Sequence, residues 1–383
     1  MKNSGSRKMK VPLSMPDISK QDRGAVARVL KTPYLSLGPV TRQFEERIAD
    51  YTGLKYAAAV NSGTSGLHLI IRAMGIKKGD EVITSPFSFI SSANCIIYEG
   101  AKPVFVDIRP DTLNIDVDRV EEKITSKTKA ILAVDVFAHP AQWDKLRRIA
   151  EKHGLKLIED SAEALGSKYK GKMCGSFADA AVFSFYPNKQ ITAGEGGIIV
   201  SNNLGLIELC RSMANQGRRA HNGKWLEHIQ LGYNYRLSDI SASLAMSQLS
   251  RINEIIRKRQ AVAGMYNDRL NRIAEVSIPF VGSQVKMSWF VYVIRLSESY
   301  SGLGRDRIII DLAGRGIQCG EYFRPIHLQP FYRKNFGYKI GSYPVCESIA
   351  KRTIALPFHN NLNKSEIDFV VKTLKEALKN ARE

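Results

Sequence analysis

The chain has no long uninterrupted apolar run, no internal repeat and no low-complexity segment among its 383 residues. Because no stretch is long and apolar enough to cross a bilayer, and 44% of the residues are hydrophobic, the composition argues against a membrane-embedded or a disordered protein. The start of the chain is basic and lacks the apolar core of a secretory signal, so we expect a cytoplasmic protein with a loose tail over residues 1–11.

Paired cysteines are missing as well. The five cysteines are widely scattered, without C-x-x-C spacing and without histidines at the spacing of a zinc site. This pattern argues against a metal centre and predicts reduced, mostly buried thiols.

Acidic residues are few relative to basic ones. The 56 Lys and Arg against 37 Asp and Glu give a formal net charge of +19. The cations are spread along the chain, with modest clusters such as "RINEIIRKR" at 251–259, and no nucleic-acid-binding motif accompanies them. A solvated basic surface is therefore favoured over a nucleic-acid groove, and such a surface is compatible with steering an anionic small substrate.

The sequence does contain an alternation of short apolar runs with segments of helical period. The strand-like runs occupy residues 56–60, 81–84, 103–108, 129–138 and 155–160. This alternation predicts an α/β protein with a mostly parallel sheet and helices on both faces. Two more runs, at 180–186 and 196–201, have no long helix between them and predict a local antiparallel or irregular pair.

The pattern changes in the last third of the chain. A helical tract runs from Asp239 to about Asn271, followed by the apolar run 289–296 and a closing helix over 364–380. We predict a large domain over residues 12–250 and, over residues 251–383, a long connecting helix with a smaller α+β domain.

The ends of the predicted strands carry candidate site residues, because ligands in open α/β sheets bind where strands end. Ser62, Gly63 and Thr64 follow the first strand and precede an apolar helix. Free N–H groups and hydroxyls at a helix N-terminus suit a phosphate, although a plain helix cap explains the same residues.

Two other strand ends supply a carboxylate and an aromatic ring. Glu159 and Asp160 end the strand 155–160, and an Asp aimed into a cleft can hold a proton on a heterocyclic nitrogen, the alternative being a surface cap. Phe87 and Phe89 follow the second strand, where one ring could stack on a planar ligand, although core packing is the more frequent use of Phe.

Lys189 lies in the apolar tract "FSFYPNKQITAGEGG" at 183–197. Burial lowers the pKa of a lysine and makes it an amine nucleophile able to form a Schiff base, whereas most lysines stay at the surface. The glycines at 194, 196 and 197 indicate tight turns and close backbone approach, which argues against an exposed position.

A phosphate site, a buried Asp, a Schiff-base lysine and a flat aromatic ring together suit pyridoxal 5′-phosphate (PLP). From about Pro12 to the last helix, the chain resembles the DegT/DnrJ/EryC1/StrS family of sugar aminotransferases, which have the type I PLP-dependent aminotransferase fold. The resemblance is carried by five stretches in the same order: "NSGTSGLHL" at 61–69, "IEDSAEALGSKYKGK" at 158–172, "FSFYPNKQITAGEGG" at 183–197, "LGYNYRLSDISA" at 231–242 and "YFRPIHLQPFY" at 322–332.

The resemblance implies a role for each matching residue. Lys189 would be the catalytic residue and carry the cofactor, and Asp160 would keep its ring nitrogen protonated. Phe89 would lie over one face of the ring, and Glu163 would contact the ring or its O3′. The cofactor phosphate would be bound by Gly63, Thr64 and Ser184, with Asn234 contributed by the partner subunit of a homodimer with shared active sites.

The resemblance also implies the substrates, namely L-glutamate, which leaves as 2-oxoglutarate, and a keto sugar linked to UDP, dTDP or GDP. Such reactions serve polysaccharide, lipopolysaccharide and amino-sugar biosynthesis. The matching candidates for substrate contact are Arg236, Tyr322 and His327, with Arg218, Arg219, Lys224 and Arg324 as further partners for the diphosphate. A structural histidine is an equal alternative for His327, and the alternative function is a PLP-binding regulatory or sensory relative without turnover.

Overall fold

The computed structural model describes residues 11–219 and 227–381. The predicted tail therefore lies outside the described residues except for Val11, as does Lys224. Val11 corrects the tail prediction, because its side chain is buried and it forms a parallel bridge with Ile317. The predicted loose tail therefore does not include residue 11.

The described residues form thirteen strands. In chain order they are β1 (Tyr56–Val60), β2 (Glu81–Thr84), β3 (Lys102–Phe105), β4 (Thr128–Val134), β5 (Lys156–Asp160), β6 (Lys168–Tyr169), β7 (Lys172–Met173), β8 (Ala180–Ser184), β9 (Gly197–Ser201), β10 (Val276–Ser277), β11 (Val285–Lys286), β12 (Tyr292–Leu296) and β13 (Thr353–Leu356).

The same residues form twelve α-helices. They are α1 (Lys20–Val29), α2 (Pro39–Thr52), α3 (Gly63–Ala73), α4 (Ser91–Tyr98), α5 (Trp143–His153), α6 (Leu204–Ala214), α7 (Asp239–Leu249), α8 (Ile252–Leu270), α9 (Gly302–Gly314), α10 (Pro330–Phe336), α11 (Pro344–Ala350) and α12 (Lys364–Asn380). None of these helices has both the length and the apolar composition needed to cross a bilayer.

Seven strands form the central sheet, in the order β1-β9-β8-β5-β4-β2-β3. The five strands β8, β5, β4, β2 and β3 run parallel to one another, and β9 runs antiparallel to both β1 and β8. The predicted α/β class with a mostly parallel sheet is confirmed. The predicted antiparallel pair is β8 with β9, and it brings the ends of β1 and β8 close together because Gly197 lies opposite both Val60 and Ser184.

Helices cover both faces of this sheet. Successive side chains of a strand point to opposite faces, so Ile199 of β9 packs with Leu67 of α3, whereas Ile198 and Val200 pack with Phe44 of α2. Both clusters consist of buried, mostly aliphatic and aromatic side chains, whose removal from water stabilises the layered arrangement.

The tract from Asp239 to Asn271 is two helices, α7 and α8, that meet at Ser250 and Arg251. Ser238 caps the first helix by accepting a hydrogen bond from the Ser241 N–H. A second sheet of β10, β12 and β13 then packs with α8, α9 and α12 around a separate apolar cluster that includes Tyr292 and Ile294. The division of the chain into domains at residue 250 stays a prediction.

The cysteines match their predicted state. All five are free thiols; Cys319 is half-buried and the other four are buried.

Gly197 offers a stability test, because a Cβ added there would lie 2.5 Å from the carbonyl carbon of Ser62 and 2.7 Å from the Gly63 nitrogen. Backbone atoms cannot move aside cheaply, so we expect Gly197→Ala to lower the free energy of unfolding by about 1–3 kcal/mol.

The matched control is Gly264→Ala in α8, where an added Cβ meets nothing within 4 Å. Alanine stiffens the unfolded chain and favours the helix, so this variant should be more stable by about 0.4–1 kcal/mol. Chemical denaturation of both variants measures the difference. Equal effects at the two positions would contradict the close approach at Gly197.

Candidate active site

A cavity of about 800 Å³ opens at the carboxyl ends of β1, β5 and β8. Ser62, Asp160 and Ser184, at or just beyond these three strand ends, line the cavity together with residues 321–324 and 326. Parallel strands bring their carboxyl ends to one edge, so residues that are far apart in the sequence meet here.

Lys189 projects its amine into this cavity, with its side chain only 12% exposed. Its Nζ lies 3.6 Å from Oε1 of Glu163 and 3.9 Å from the ring centroid of Phe290. Burial lowers the pKa of Lys189, and the negative charges of Glu163 and Asp160 offset part of that effect. Lys189 therefore does not take the surface position that most lysines have.

Asp160 is buried at the end of β5 and lines the same cavity. Its Oδ2 accepts a hydrogen bond of 2.8 Å from Ser92, and its Oδ1 accepts one of 3.2 Å from the Ala162 N–H. Burial raises the pKa of Asp160, while these two hydrogen bonds and the charge of Lys189 act in the opposite direction. A carboxylate has more acceptor positions than these two bonds use, so Asp160 retains acceptor capacity at the cavity wall.

Glu163 is the second buried carboxyl group on the cavity, and its Oε2 accepts a hydrogen bond of 2.8 Å from the Phe137 N–H. Burial raises the pKa of Glu163, and the charge of Lys189 followed by the Phe137 N–H lowers it. The neighbouring Glu159 points to the other face of the sheet, where it accepts a hydrogen bond of 2.8 Å from Ser161. Glu159 is therefore a buried structural group and not a surface cap.

The predicted phosphate residues converge where β1 and β8 end. Gly63 is the first residue of α3, and a Cβ there would lie only 3.1 Å from Cβ of Ser184. Ser62 caps α3 by accepting from the Ser65 N–H, and the Thr64 hydroxyl lies 2.7 Å from that of Ser91. Ser62 is therefore a helix cap, as the alternative interpretation of this motif had it. Gly63, Thr64 and Ser184 nevertheless line the cavity, where the N-terminus of α3 suits an anion.

Aromatic rings frame the opening. Phe89 is 61% exposed and borders the cavity, whereas Phe87 is fully buried and packs edge-on against Phe137. The two phenylalanines thus divide between the two uses that the sequence left open. Tyr322 also lines the cavity and stacks on Phe323 at 5.1 Å.

Other predicted residues do not reach this chain's own cavity. Asn234 is exposed and does not line the cavity. Arg218 and Arg219 do not line it either. Arg236 donates a hydrogen bond of 3.1 Å to Asn215.

His327 requires a correction, because its ring is fully buried. Its Nε2 lies 3.0 Å from Oε1 of Glu347, and burial lowers the pKa of His327. The structural role that was the equal alternative fits this placement, and a direct contact with a sugar does not.

Sequence reasoning missed the groups that hold the site residues in place. Ser88 and Ser92 form a hydroxyl chain to Asp160, with 2.9 Å between the two oxygens. Their spacing of four residues in "SPFSFISSANC" was the available signal. Arg259, the last cation of the "RINEIIRKR" cluster, is buried and donates hydrogen bonds to the carbonyls of Lys189 at 2.9 Å and Phe290 at 3.1 Å.

Residues 16–375 match the DegT/DnrJ/EryC1/StrS aminotransferase family. The chain belongs to this family. It is therefore a PLP-dependent sugar aminotransferase, and its fold is that of the family's solved structures.

Three similar proteins show how far the likeness of this aminotransferase extends. It is 36% identical over 371 residues to GDP-perosamine synthase from Caulobacter vibrioides, covering 96% of this chain and 98% of that protein. It is 36% identical over 380 residues to the spore coat polysaccharide biosynthesis protein SpsC from Bacillus subtilis, covering 97% and 98%. The structure of Helicobacter pylori PseC, an aminotransferase involved in the biosynthesis of pseudoaminic acid, matches with a TM-score of 0.90 at 30% identity, covering 97% and 99%.

The residues present in this aminotransferase fit PLP. The cavity offers a shielded amine at Lys189, a buried carboxylate with spare acceptor capacity at Asp160, and a helix N-terminus at Gly63. When bound, PLP supplies an aldehyde carbon that an amine can attack and a ring that accepts electrons. The lowered pKa of Lys189 increases its neutral, nucleophilic fraction near neutral pH.

Removal of the Ser92 hydroxyl tests how Asp160 is held. The Ser92 hydrogen bond lowers the pKa of Asp160, so Ser92→Ala should raise that pKa and weaken PLP binding by about tenfold. As the pH falls, the variant should lose affinity at a higher pH than the wild type, because its Asp160 becomes protonated earlier. Titration of the apoprotein with PLP at several pH values measures both effects.

The control for this experiment is Ser243→Ala, which removes another buried hydroxyl, one that donates to the Ile240 carbonyl at 2.7 Å and lies outside the cavity lining. It should bind PLP as the wild type does. An unchanged affinity and pH profile in Ser92→Ala would contradict the role of the hydroxyl.

The charge of Glu163 can be tested through the reactivity of Lys189. The Glu163 carboxylate raises the pKa of Lys189, so Glu163→Gln should lower that pKa further. More of the amine is then neutral below the pKa, and the pH profile for covalent capture of PLP should shift to lower pH. Stopped-flow absorbance of the apoprotein gives the profile, with the exposed Glu151→Gln as control. A shift to higher pH would contradict the assignment.

Proposed function

We propose that this enzyme transfers an amino group from L-glutamate, through PLP, to a keto sugar carried on a nucleoside diphosphate, in polysaccharide or amino-sugar biosynthesis. The observation that carries the proposal is the shielded amine of Lys189, 3.6 Å from Glu163 in a cavity that Asp160 also lines. A histidine at this position would favour dehydration chemistry, which the resemblance associates with a subset of the family. The lysine favours transamination.

In this proposal each residue of the chain has a defined task. Lys189 would hold the cofactor through Nζ, and once the amino donor has displaced it, the freed amine would accept and return a proton, for which it must be neutral. Asp160 holds the proton on the ring nitrogen, and Phe89 covers a face of the ring. Gly63, Thr64 and Ser184 bind the phosphate at the N-terminus of α3.

The cavity is large enough for the proposed substrates. Its volume of about 800 Å³ lies in the upper part of the range for small-molecule sites, which leaves room for a ligand beside the cofactor. The name of one similar protein, GDP-perosamine synthase, points to a nucleotide-linked sugar, and the name of another, SpsC, points to polysaccharide biosynthesis.

The charges of the cavity support the proposed homodimer. Among the described residues that line it, the cations are Lys189 and Arg324, against the four acidic side chains of Asp160, Glu163, Glu195 and Glu321. A phosphate-bearing cofactor and a diphosphate substrate need more positive charge than this. Arg218, Arg219, Arg236 and Asn234 lie outside this chain's own lining, which is the placement expected of groups that serve a neighbouring subunit.

The first test separates turnover from cofactor binding alone. Purified protein with PLP should show the absorption band of the lysine-bound cofactor, and glutamate should convert it to the pyridoxamine phosphate form. Lys189→Ala should lose both the band and the conversion, because no other described lysine lines the cavity. A wild-type protein that keeps the band but does not respond to glutamate would contradict the proposal and support the regulatory alternative.

The second test identifies the acceptor. The pyridoxamine phosphate form is mixed with a panel of UDP-, dTDP- and GDP-linked 3-keto and 4-keto sugars, and return of the lysine-bound absorption band reports transfer. At least one sugar should restore the band in the wild type. Restoration by free keto acids alone would contradict a nucleotide-sugar acceptor.

A further inference from the structure

Arg324 differs from the other cations near the site. Among the described residues that line the cavity, Lys189 and Arg324 are the two cations. The side chain of Arg324 is 73% exposed. An exposed arginine alone is usually a solvated group, so its surroundings decide whether it has a binding role.

Glu321 orients Arg324. The Nε of Arg324 donates a hydrogen bond of 3.0 Å to Oε2 of Glu321. The other carboxylate oxygen of Glu321 accepts one of 3.0 Å from Arg305, whose side chain is only 5% exposed. Arg305 also donates to the carbonyls of Ala350 and Thr353, so a buried anchor holds the carboxylate that orients Arg324.

The chain segment that carries Arg324 is also fixed by contacts with the rest of the protein. Between Glu321 and Arg324, the rings of Tyr322 and Phe323 stack on each other and on Phe137, at centroid distances of 5.1, 6.3 and 5.2 Å. Two residues further on, the Ile326 N–H donates to the Pro86 carbonyl at 2.8 Å. A side chain on such a fixed segment loses less freedom on binding than one on a loose loop.

The hydrogen-bonding capacity of Arg324 is only partly used. Its Nε is occupied by Glu321, while within the described residues its two terminal nitrogens donate to no protein atom. A guanidinium with free terminal N–H groups matches the paired oxygens of a carboxylate or a phosphate.

We infer that Arg324, oriented by Glu321 and Arg305, is the residue with which this chain recognises an oxyanion of its substrates. The inference rests on the proposed function, since the oxyanion is either a carboxylate of the amino donor or the diphosphate of the sugar nucleotide. A carboxylate and a phosphate can each accept hydrogen bonds from the same two terminal nitrogens of Arg324.

Direct binding tests the inference without turnover. Calorimetry on the PLP-loaded enzyme measures the affinity for glutarate, a dicarboxylate that cannot donate an amine, and for UDP, dTDP and GDP. Arg324→Gln should weaken binding of one probe class by about 10- to 100-fold, the cost of losing charge-assisted hydrogen bonds. The affinity of Arg324→Lys should lie between those of the wild type and Arg324→Gln, because lysine keeps the charge but not the planar pair of donors.

The control is Arg333→Gln on α10, an exposed arginine outside the cavity lining that changes the net charge equally. The absorption band at Lys189 verifies that every variant is folded and loaded. Loss for glutarate assigns Arg324 to the amino donor, and loss for the nucleotides assigns it to the diphosphate. If Arg324→Gln binds all probes as Arg333→Gln does, or if the wild type binds none, the inference is overturned.

The two proposals fail separately. An enzyme that binds the probes through Arg324 but does not react with glutamate contradicts the proposed function and leaves the binding role intact. If the wild type turns over and Arg324→Gln binds the probes with unchanged affinity, the proposed function is supported and the binding role of Arg324 is contradicted.

Discussion

The site depends on one constraint, the close contact of three strand ends at Gly197. Because β9 runs antiparallel between β1 and β8, this residue lies opposite both Val60 and Ser184. A side chain there would overlap the backbone of Ser62, so the absence of a Cβ lets the start of α3 lie next to the end of β8. A helix N-terminus, a glycine and a hydroxyl thereby reach one corner of the cavity, which no single strand-helix unit provides.

The second requirement is electrostatic: burial and local interactions shift the pKa values of the three ionisable site residues in opposite directions. Burial favours the neutral forms of Lys189, Asp160 and Glu163, while the attraction between Lys189 and the two carboxylates, together with their hydrogen bonds, favours the ionised forms. The charge of Asp160 acts with burial on Glu163 and raises its pKa. Ser92 and the Phe137 N–H stabilise the two carboxylates by donating hydrogen bonds to them. The result is an amine that is easier to deprotonate than an ordinary lysine beside carboxyl groups whose charge is stabilised by specific donors.

Much of this architecture was predictable because it follows local patterns. The alternation of apolar runs with helical periods predicted the mostly parallel sheet, and the glycines after Lys189 predicted tight turns around a shielded lysine. The positions of Ser92 and Arg259 were not predictable in the same way. Arg259 lies in a basic cluster typical of a solvated surface, yet it is buried where the backbone at 188–189 and 289–290 accepts its hydrogen bonds.

The sequence alone determined the order of the elements, the strand ends that carry polar groups and the lysine among apolar neighbours, since these depend on periodicity and on residue types near each other in the chain. The tertiary structure decided which of those groups meet. It separated Asp160 from Glu159 by the alternation of side chains along β5, placed Phe89 at the cavity and Phe87 in the core, and moved His327 into a buried pair with Glu347. Such outcomes depend on which faces pack together over hundreds of residues, and local sequence patterns hold no information about that packing.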